Sequence, residues 1–230
     1  MEKLLKDYSD LEKGAYLGAI SSIATADRAA SDEEMEYIMA LAESADLSDE
    51  QKQSVSRAAT ELTGQELKKC LDILKTSDLK FSLVTDLISF AEADKKYSDE
   101  EKANIERIAQ YLGIDQQQFS LLDQFVKKTA EVKPGVEEVS HPSFLSKLGL
   151  DDKLKKSGIN INSLTKGLLS VAGPMILANL ISGRRNRGMG ASSNPFAMSS
   201  GGGLGSIISM LSGGRGFSKT GNMFNRVFGL

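Results

Sequence analysis

One stretch of this sequence recurs 67 residues further along the chain, and this internal repeat constrains the fold more than any other feature. Residues 24–34 read ATADRAASDEE and residues 91–101 read AEADKKYSDEE, with seven of eleven positions identical. Apolar residues around both blocks recur three and four apart, which is the spacing of amphipathic helices. Each copy is therefore predicted to form a helix, a short turn and a second helix.

Helical spacing continues outside the repeated blocks, and sustained alternation of the kind that marks strands is missing. We expect helices near residues 14–27 and 32–45. Five further helices are expected around these apolar groups: Val55, Ala58, Ala59 and Leu62; Leu67, Leu71 and Leu74; Val84, Leu87, Ile88 and Ala91; Ile105, Ile108, Ala109 and Leu112; Leu122, Phe125 and Val126. The predicted fold class is all-α, a compact helical bundle with an internal pseudo-twofold helix-turn-helix repeat.

Both copies carry a capping signal at the start of their second helix. Ser31 and Ser98 are each followed by Asp-Glu-Glu. In this capping box the Ser hydroxyl accepts from the amide of Glu34 or Glu101, and that Glu accepts from the Ser amide in return. The acidic residues of these helix starts are therefore explained without a ligand.

Asp27 and Asp94 are harder to explain, because each is predicted at the end of a helix. The helix dipole is negative there, so a carboxylate needs a compensating partner. Amides of the turn or the neighbouring Arg28 and Lys95 could compensate it, and so could a hard cation shared with the Glu of the next helix. Any such site would differ from an EF-hand, whose twelfth position would be Ile38 rather than Glu.

The two blocks in their fuller form, AISSIATADRAASDEEMEYI and DLISFAEADKKYSDEEKANI, resemble the TerB-like domains of bacterial tellurite-resistance and stress systems. The resemblance covers about residues 10–130. It implies a helical bundle with pseudo-twofold symmetry and an accessory, non-catalytic role. It also implies a divalent-cation site, for a cation such as calcium, whose ligands here would be Asp27, Glu34, Asp94 and Glu101. The family's turn often has Gly after the Asp, and this chain has a basic residue there in both copies.

Charge divides the chain into two parts of opposite sign. Residues 1–140 hold 29 acidic and 17 basic side chains, and residues 141–230 hold 2 and 11. Such an asymmetry indicates different environments or partners for the two parts. With the helix-breaking residues near position 135, it predicts four segments: an acidic domain at 1–131, a linker at 132–142, an amphipathic and apolar helical segment at 143–183, and a basic Gly/Ser/Phe-rich tail at 184–230. Within the third segment, residues 143–156 are predicted to form a short amphipathic helix.

The apolar segment has two interpretations. Residues 159–182 carry a single charge, Lys166, and three arginines follow by residue 187, so 159–187 could contact a membrane. The uncharged run 167–183 would span only about 25 Å as a helix, short of the roughly 30 Å hydrocarbon core. The alternative is a helix packed on the acidic domain or on another copy of the chain, through a stripe of apolar residues: Ile161, Leu164, Leu168, Val171 and Met175.

The sequence shows no catalytic constellation, so no enzyme activity is expected. The single cysteine, Cys70, lies in an apolar helical stripe and is interpreted as a buried structural thiol, while the single histidine, His141, lies in the linker. The first 14 residues lack the apolar run of a secretory signal, which predicts a cytoplasmic protein or one at the cytoplasmic face of a membrane.

The preferred functional hypothesis is a non-enzymatic, stress-associated binding or scaffold protein that responds to a divalent cation and is tethered to a membrane or an assembly by its tail. The alternative is a structural protein that self-associates, with the acidic head of one chain receiving the basic tail of the next. Protein partners or self-association are expected in either case. Nucleic-acid binding is not, because the tail's six basic residues form no dense stripe.

Overall fold

The computed structural model describes residues 5–25, 30–61, 64–93, 99–132 and 142–169, and this part of the chain contains ten helices and no strand. The helices are α1 (Asp10–Ala24), α2 (Asp32–Ser44), α3 (Asp49–Thr60), α4 (Gln65–Leu74), α5 (Leu79–Ala93), α6 (Asp99–Tyr111), α7 (Gln116–Val132), α8 (Pro142–Leu148), α9 (Asp151–Lys156) and α10 (Ile161–Lys166). The all-α prediction is confirmed.

Two of these helices, α1 and α5, form the centre of the bundle. Residues 13–23 of α1 and 81–88 of α5 are buried without interruption. A helix that is apolar around its whole circumference must be covered on all sides. Helices α2, α3 and α4 pack on α1, helices α6, α7 and α10 pack on α5, and α1 and α5 contact each other.

Side-chain caps set the starts of several helices. Ser9 caps α1 in a capping box with Glu12, which the sequence analysis did not anticipate, and α1 therefore begins earlier than expected. The hydroxyl of Ser48 accepts from the amide of Gln51 at the start of α3. Both of these starts carry the polar side chain that a free helix N-terminus requires.

The ends of α2 and α6 are built alike. Each is followed by a residue with a left-handed backbone, Asp46 (φ 55°) and Gly113 (φ 75°), which lie 67 positions apart. The next amide, of Leu47 or Ile114, donates to the carbonyl five residues earlier at 3.1 and 2.9 Å, the closing bond of a Schellman motif. The local backbone therefore follows the sequence repeat, and the pseudo-twofold relation of the two copies as wholes stays a prediction.

The segment after the linker is broken where one amphipathic helix over 143–156 was expected. Gly149 has a left-handed backbone (φ 65°) and separates α8 from α9, so the expectation of a continuous helix is wrong. Both short helices still bury apolar side chains and pack on α7. The buried side chains are Phe144, Leu148, Leu150 and Leu154.

Residues 161–169, called the strap below, consist of α10 and the three residues after it, and they pack on α5. Ile161, Leu164 and Leu168 of the predicted apolar stripe are all buried there. The stripe thus lies against the acidic domain over its described part, and its remaining members, Val171 and Met175, are outside the described residues. Among the helices of this described part, none combines the length and apolar character needed to cross a membrane.

Candidate functional site

Glu34 lies in the first turn of α2, where the capping box holds it. The amide of Ser31 donates to Glu34 Oε2 at 2.7 Å, and the amide of Glu34 donates to Ser31 Oγ at 3.4 Å. The predicted capping box is therefore confirmed in the first copy. The Glu34 side chain is only 3% exposed, so its carboxylate is directed inward rather than into solvent.

Glu101 occupies the corresponding position of α6 and is 4% exposed. Its expected capping partner, Ser98, lies outside the described residues. One turn further along each helix a buried polar atom has no hydrogen-bond partner among the described residues: the hydroxyl of Tyr37 in α2 and Nδ2 of Asn104 in α6. Both copies thus place a buried carboxylate and a buried, unsatisfied polar group on consecutive turns.

The two aspartates of the predicted cation site, Asp27 and Asp94, lie outside the described residues. Within the part that is described, no three Asp, Glu, His or Cys side chains approach closely enough to hold a metal ion. Because both aspartates lie outside the described residues, a cation site at Asp27, Glu34, Asp94 and Glu101 stays a prediction.

A different carboxylate, Asp86 of α5, lies at the centre of the bundle and was missed by the sequence analysis. Its side chain is fully buried. The hydroxyl of Tyr16, on α1, donates to Asp86 Oδ2, and the amide of Leu169 in the strap donates to the same oxygen at 2.7 Å. The Leu169 amide also lies 3.4 Å from the Tyr16 oxygen. One buried carboxylate therefore binds α1, α5 and the strap together.

Asp86 helps to raise the pKa values of two buried tyrosines. Burial and then the negative charge of Asp86 raise the pKa of Tyr16 well above its usual value, so that its hydroxyl remains a donor. The same two causes raise the pKa of Tyr37, on α2. The Asp86 cluster, meaning Asp86, Tyr16 and the Leu169 amide, is thus a buried polar contact between α1, α5 and the strap.

The strap is held mainly through its backbone. The hydroxyl of Ser82 donates to the carbonyl of Leu164 at 3.2 Å, and the hydroxyl of Tyr8 donates to the carbonyl of Ser163 at 3.1 Å. The Leu164 carbonyl belongs to the last turn of α10, and the Ser163 carbonyl also accepts from the amide of Gly167 at 3.1 Å. The side chain of Ser163 also donates to Asp78 at 3.1 Å. Side chains of the domain therefore cap the C-terminal end of α10.

Two further contacts bring the strap close to the domain. Lys166 and Asp7 form an exposed ion pair at 2.8 Å, and Lys166 lowers the pKa of the Asp7 carboxyl. Gly167 lies so close to the side chain of Ser82 on α5 that an added Cβ would lie 2.2 Å from Ser82 Oγ. A side chain at this position would push the strap away from α5.

Asp86 could have been recognised from the sequence by its isolation. It is the single charge in residues 81–91, FSLVTDLISFA, a run that otherwise predicts a fully buried helix. A lone carboxylate in such a run must be exposed, paired or hydrogen-bonded. Its partners could not have been identified, because Tyr16 and Leu169 lie 70 and 83 positions away in the chain.

Comparison with protein families decides the identity of the acidic part. Residues 13–124 match the family model described as tellurite resistance protein TerB. This stretch is a TerB-family domain. The match agrees with the extent expected from the two repeated blocks, about residues 10–130. Comparison with curated proteins and with solved structures gives no match.

The matched range ends within α7, so α8, α9 and the strap lie beyond the part that the TerB family model covers. The Asp86 cluster therefore joins family and non-family parts of the chain. Asp86 and Tyr16 belong to the TerB domain, and Leu169 belongs to the segment that follows it. The interior of the TerB domain thus binds the end of the strap.

Proposed function

We propose that this protein is a non-enzymatic binding or scaffold protein in which the TerB domain is a rigid platform and residues 170–230 form a tether to a membrane or an assembly. The observation that carries this proposal is the fastening of Leu169 to Asp86 in the centre of the domain. The proposed tether, residues 170–230, begins at the next residue. A pulling force on residues 170–230 would therefore act on the buried core of the domain, through Leu169, and not on an exposed linker.

The charges of the chain support an anionic partner for the tail. Residues 170–230 carry six basic side chains and no acidic one, whereas residues 1–140 carry an excess of acidic side chains. An anionic surface would attract the tail and repel the domain. Contact through the tail alone follows from this, with the protein at the cytoplasmic face of a membrane. The family description, a tellurite resistance protein, supports a stress-associated role.

Sedimentation of the full chain with vesicles tests the tether. We expect binding to vesicles rich in phosphatidylserine, little binding to neutral phosphatidylcholine vesicles, and loss of binding as the salt concentration rises. A full-length variant with Arg184→Gln, Arg185→Gln and Arg187→Gln should bind several-fold more weakly.

The matched control removes three exposed basic charges from the domain instead, with Arg57→Gln, Lys68→Gln and Arg107→Gln. It should bind like the unmodified chain. Equal weakening in both triple variants would show that net charge, and not the tail, directs the interaction. Absence of binding to either kind of vesicle would leave an assembly as the partner to be sought.

A divalent-cation response is a separate part of the proposal. It is supported by the burial of Glu34 and Glu101 at corresponding positions, each one turn from a buried polar atom that has no hydrogen-bond partner within the described ranges. Calorimetry should detect calcium binding to the full chain, and Asp27→Asn with Asp94→Asn should abolish it. The control changes Asp32 and Asp99, which are exposed in the first turns of α2 and α6, to Asn. Flat titrations of the unmodified chain with calcium, magnesium and zinc would contradict this part.

The alternative, self-association of head and tail, is favoured by their opposite charges. It predicts that sedimentation-velocity experiments without lipid show oligomers at low salt that dissociate at high salt. The Arg184, Arg185 and Arg187 triple variant should then be monomeric. A chain that is monomeric at all salt concentrations excludes this function and leaves the tether.

A further inference from the structure

The Asp86 cluster is placed where three parts of the molecule meet. Asp86 lies on α5, Tyr16 lies on α1, and Leu169 ends the described part of the strap. The same oxygen, Asp86 Oδ2, accepts from both Tyr16 and the Leu169 amide. All three residues are buried. The contact between α1 and α5 and the docking of the strap therefore share a single acceptor.

Sharing this acceptor links the two contacts energetically. If the strap leaves, the Asp86 carboxylate loses a charge-assisted hydrogen bond in an environment where each lost partner is costly. The carboxylate must then find water or another donor, and either demands that the packing around Tyr16 loosen. Conversely, a loosened α1 removes the Tyr16 hydroxyl that helps to fix Asp86 beneath the strap.

We propose that Asp86 is a latch that couples docking of the strap to the packing of α1 on α5, so that pulling on or binding the tail is transmitted into the TerB domain. The latch has two states, docked and released. Its transmission to residues 170–230 rests on the proposed function as a tether. The coupling of strap and α1 does not, and can be measured without any partner.

Hydrogen exchange of the full chain, followed by mass spectrometry, tests the coupling. Asp86→Asn keeps the shape of the side chain and removes its charge. We expect exchange to accelerate by about tenfold or more both in the strap and in residues 16–23 of α1. The control, Ser89→Ala, removes a hydroxyl of α5 that donates to the Thr85 carbonyl within the same helix at 2.9 Å, and should leave exchange in both regions unchanged. Acceleration of the strap alone in Asp86→Asn would overturn the proposal, as would no change.

A second variant keeps the proposal testable if Asp86→Asn does not fold. Gly167→Ala leaves the side chains of Asp86 and Tyr16 unchanged, but its Cβ would lie 2.2 Å from Ser82 Oγ and 2.8 Å from Ser82 Cβ, so it displaces the strap. Faster exchange in residues 16–23, remote in sequence from the change, is the expected result. An α1 that exchanges normally beneath a displaced strap would exclude the latch. Vesicle binding would be unaffected by that outcome, so failure of the latch and failure of the tether are distinguishable.

Discussion

The two central helices of this bundle each have one cover of a different kind. Helix α1 is covered, besides α2 and α3, by α4, which contributes the fully buried Leu67, Leu71 and Leu74. Helix α5 is covered, besides α6 and α7, by the strap, which is held by hydrogen bonds to its backbone and by a buried carboxylate. The first contact is a permanent apolar core. The second depends on polar groups that must be satisfied when it forms and again when it breaks.

A single position accounts for much of this difference. Residue 86 of α5 corresponds, 67 positions earlier, to Ala19 of α1, which is buried and carries no polar group. The repeat therefore preserves the bounds of α2 and α6 while it varies the residues inside the central helices. At this position α1 carries a methyl group, and α5 carries a carboxylate that accepts from the strap when the strap docks.

Leucine truncation should separate the two covers most clearly. Leu71→Ala, in α4, removes a fully buried side chain from a contact that has no polar support, and should lower the free energy of unfolding by about 2–5 kcal/mol. Leu164→Ala, in the strap, should release the strap locally and lower the global value by less than half as much. Urea unfolding of both variants, followed by circular dichroism, measures this. Equal losses would show that the strap is as integral to the core as α4.

Replacement of the lysines at corresponding positions of α1 and α5 should also cost different amounts of stability, with the larger cost in α1. Lys13 is buried, and its ammonium donates to the carbonyls of Ala45 at 2.6 Å and Asp46 at 3.3 Å, at the end of α2. Lys80, 67 positions later, is half-buried, and its ammonium donates to the backbone carbonyl of Lys75 at 3.3 Å. Lys13→Met should therefore cost about 1–3 kcal/mol, because it leaves buried carbonyls without a donor.

Lys80→Met is the matched control and should cost under about 1 kcal/mol, since its hydrogen bond is long and partly solvated and its ammonium lies 5.3 Å from the Phe81 ring centroid, a weak contact. Thermal unfolding of the two variants gives the comparison. A larger loss of stability for Lys80→Met than for Lys13→Met would contradict this expected order.

Local signals predicted much of this architecture. The repeated Ser-Asp-Glu-Glu block placed the start of α2 correctly, and the apolar periodicity placed the helices of the acidic domain. Ser9 shows the limit of that approach, because its capping box with Glu12 was overlooked although the spacing is the same. The break at Gly149 was missed for a similar reason, since a glycine between two amphipathic runs was not taken as a left-handed helix end.

The candidate site was harder to predict, because it is built from distant contacts. Asp86 is conspicuous in the sequence, but its hydrogen bonds to Tyr16 and Leu169 depend on packing of helices that periodicity does not specify. The strap was considered as a membrane segment or as a packed helix, and the buried faces of Ile161 and Leu164 favour packing over its described length. Composition alone could not decide between two environments that are both apolar.

Backbone strain at the two helix ends should sharpen the comparison at a smaller scale. Gly113 has φ 75° with no atom near its missing side chain, so Gly113→Ala should cost about 1 kcal/mol from the left-handed backbone alone. Asp46→Gly, at the corresponding position, relieves that strain and should raise stability by a few tenths of a kcal/mol at most, because Asp tolerates this region. Unfolding in urea measures both. A destabilised Asp46→Gly would show that the Asp46 side chain has a role that the repeat does not share.

The thiol of Cys70 gives the finest test of the apolar cover on α1. Cys70 lies on α4 and packs against Gly18 of α1. A Cβ added to that glycine would lie 2.9 Å from Cys70 Sγ. Cys70 is half-buried, where a buried thiol was predicted, and burial of this degree raises the pKa of the thiol from 9.0 to about 12. Because thiolate is the reactive form, alkylation by iodoacetamide at pH 8 should be about a thousandfold slower in the folded chain than in urea.

The same shift fixes the sign of a pH effect. Above pH 9 the thiol of the unfolded chain ionises while that of the folded chain keeps its proton, so the stability contributed by this group is lost between about pH 9 and 12. Cys70→Ser should lack that part of the alkaline loss, which the difference between the two stability profiles isolates from lysine and tyrosine titration. A folded thiol that reacts as fast as the unfolded one would mean that α4 opens readily from α1. The contrast between a fixed cover and a releasable one would then disappear.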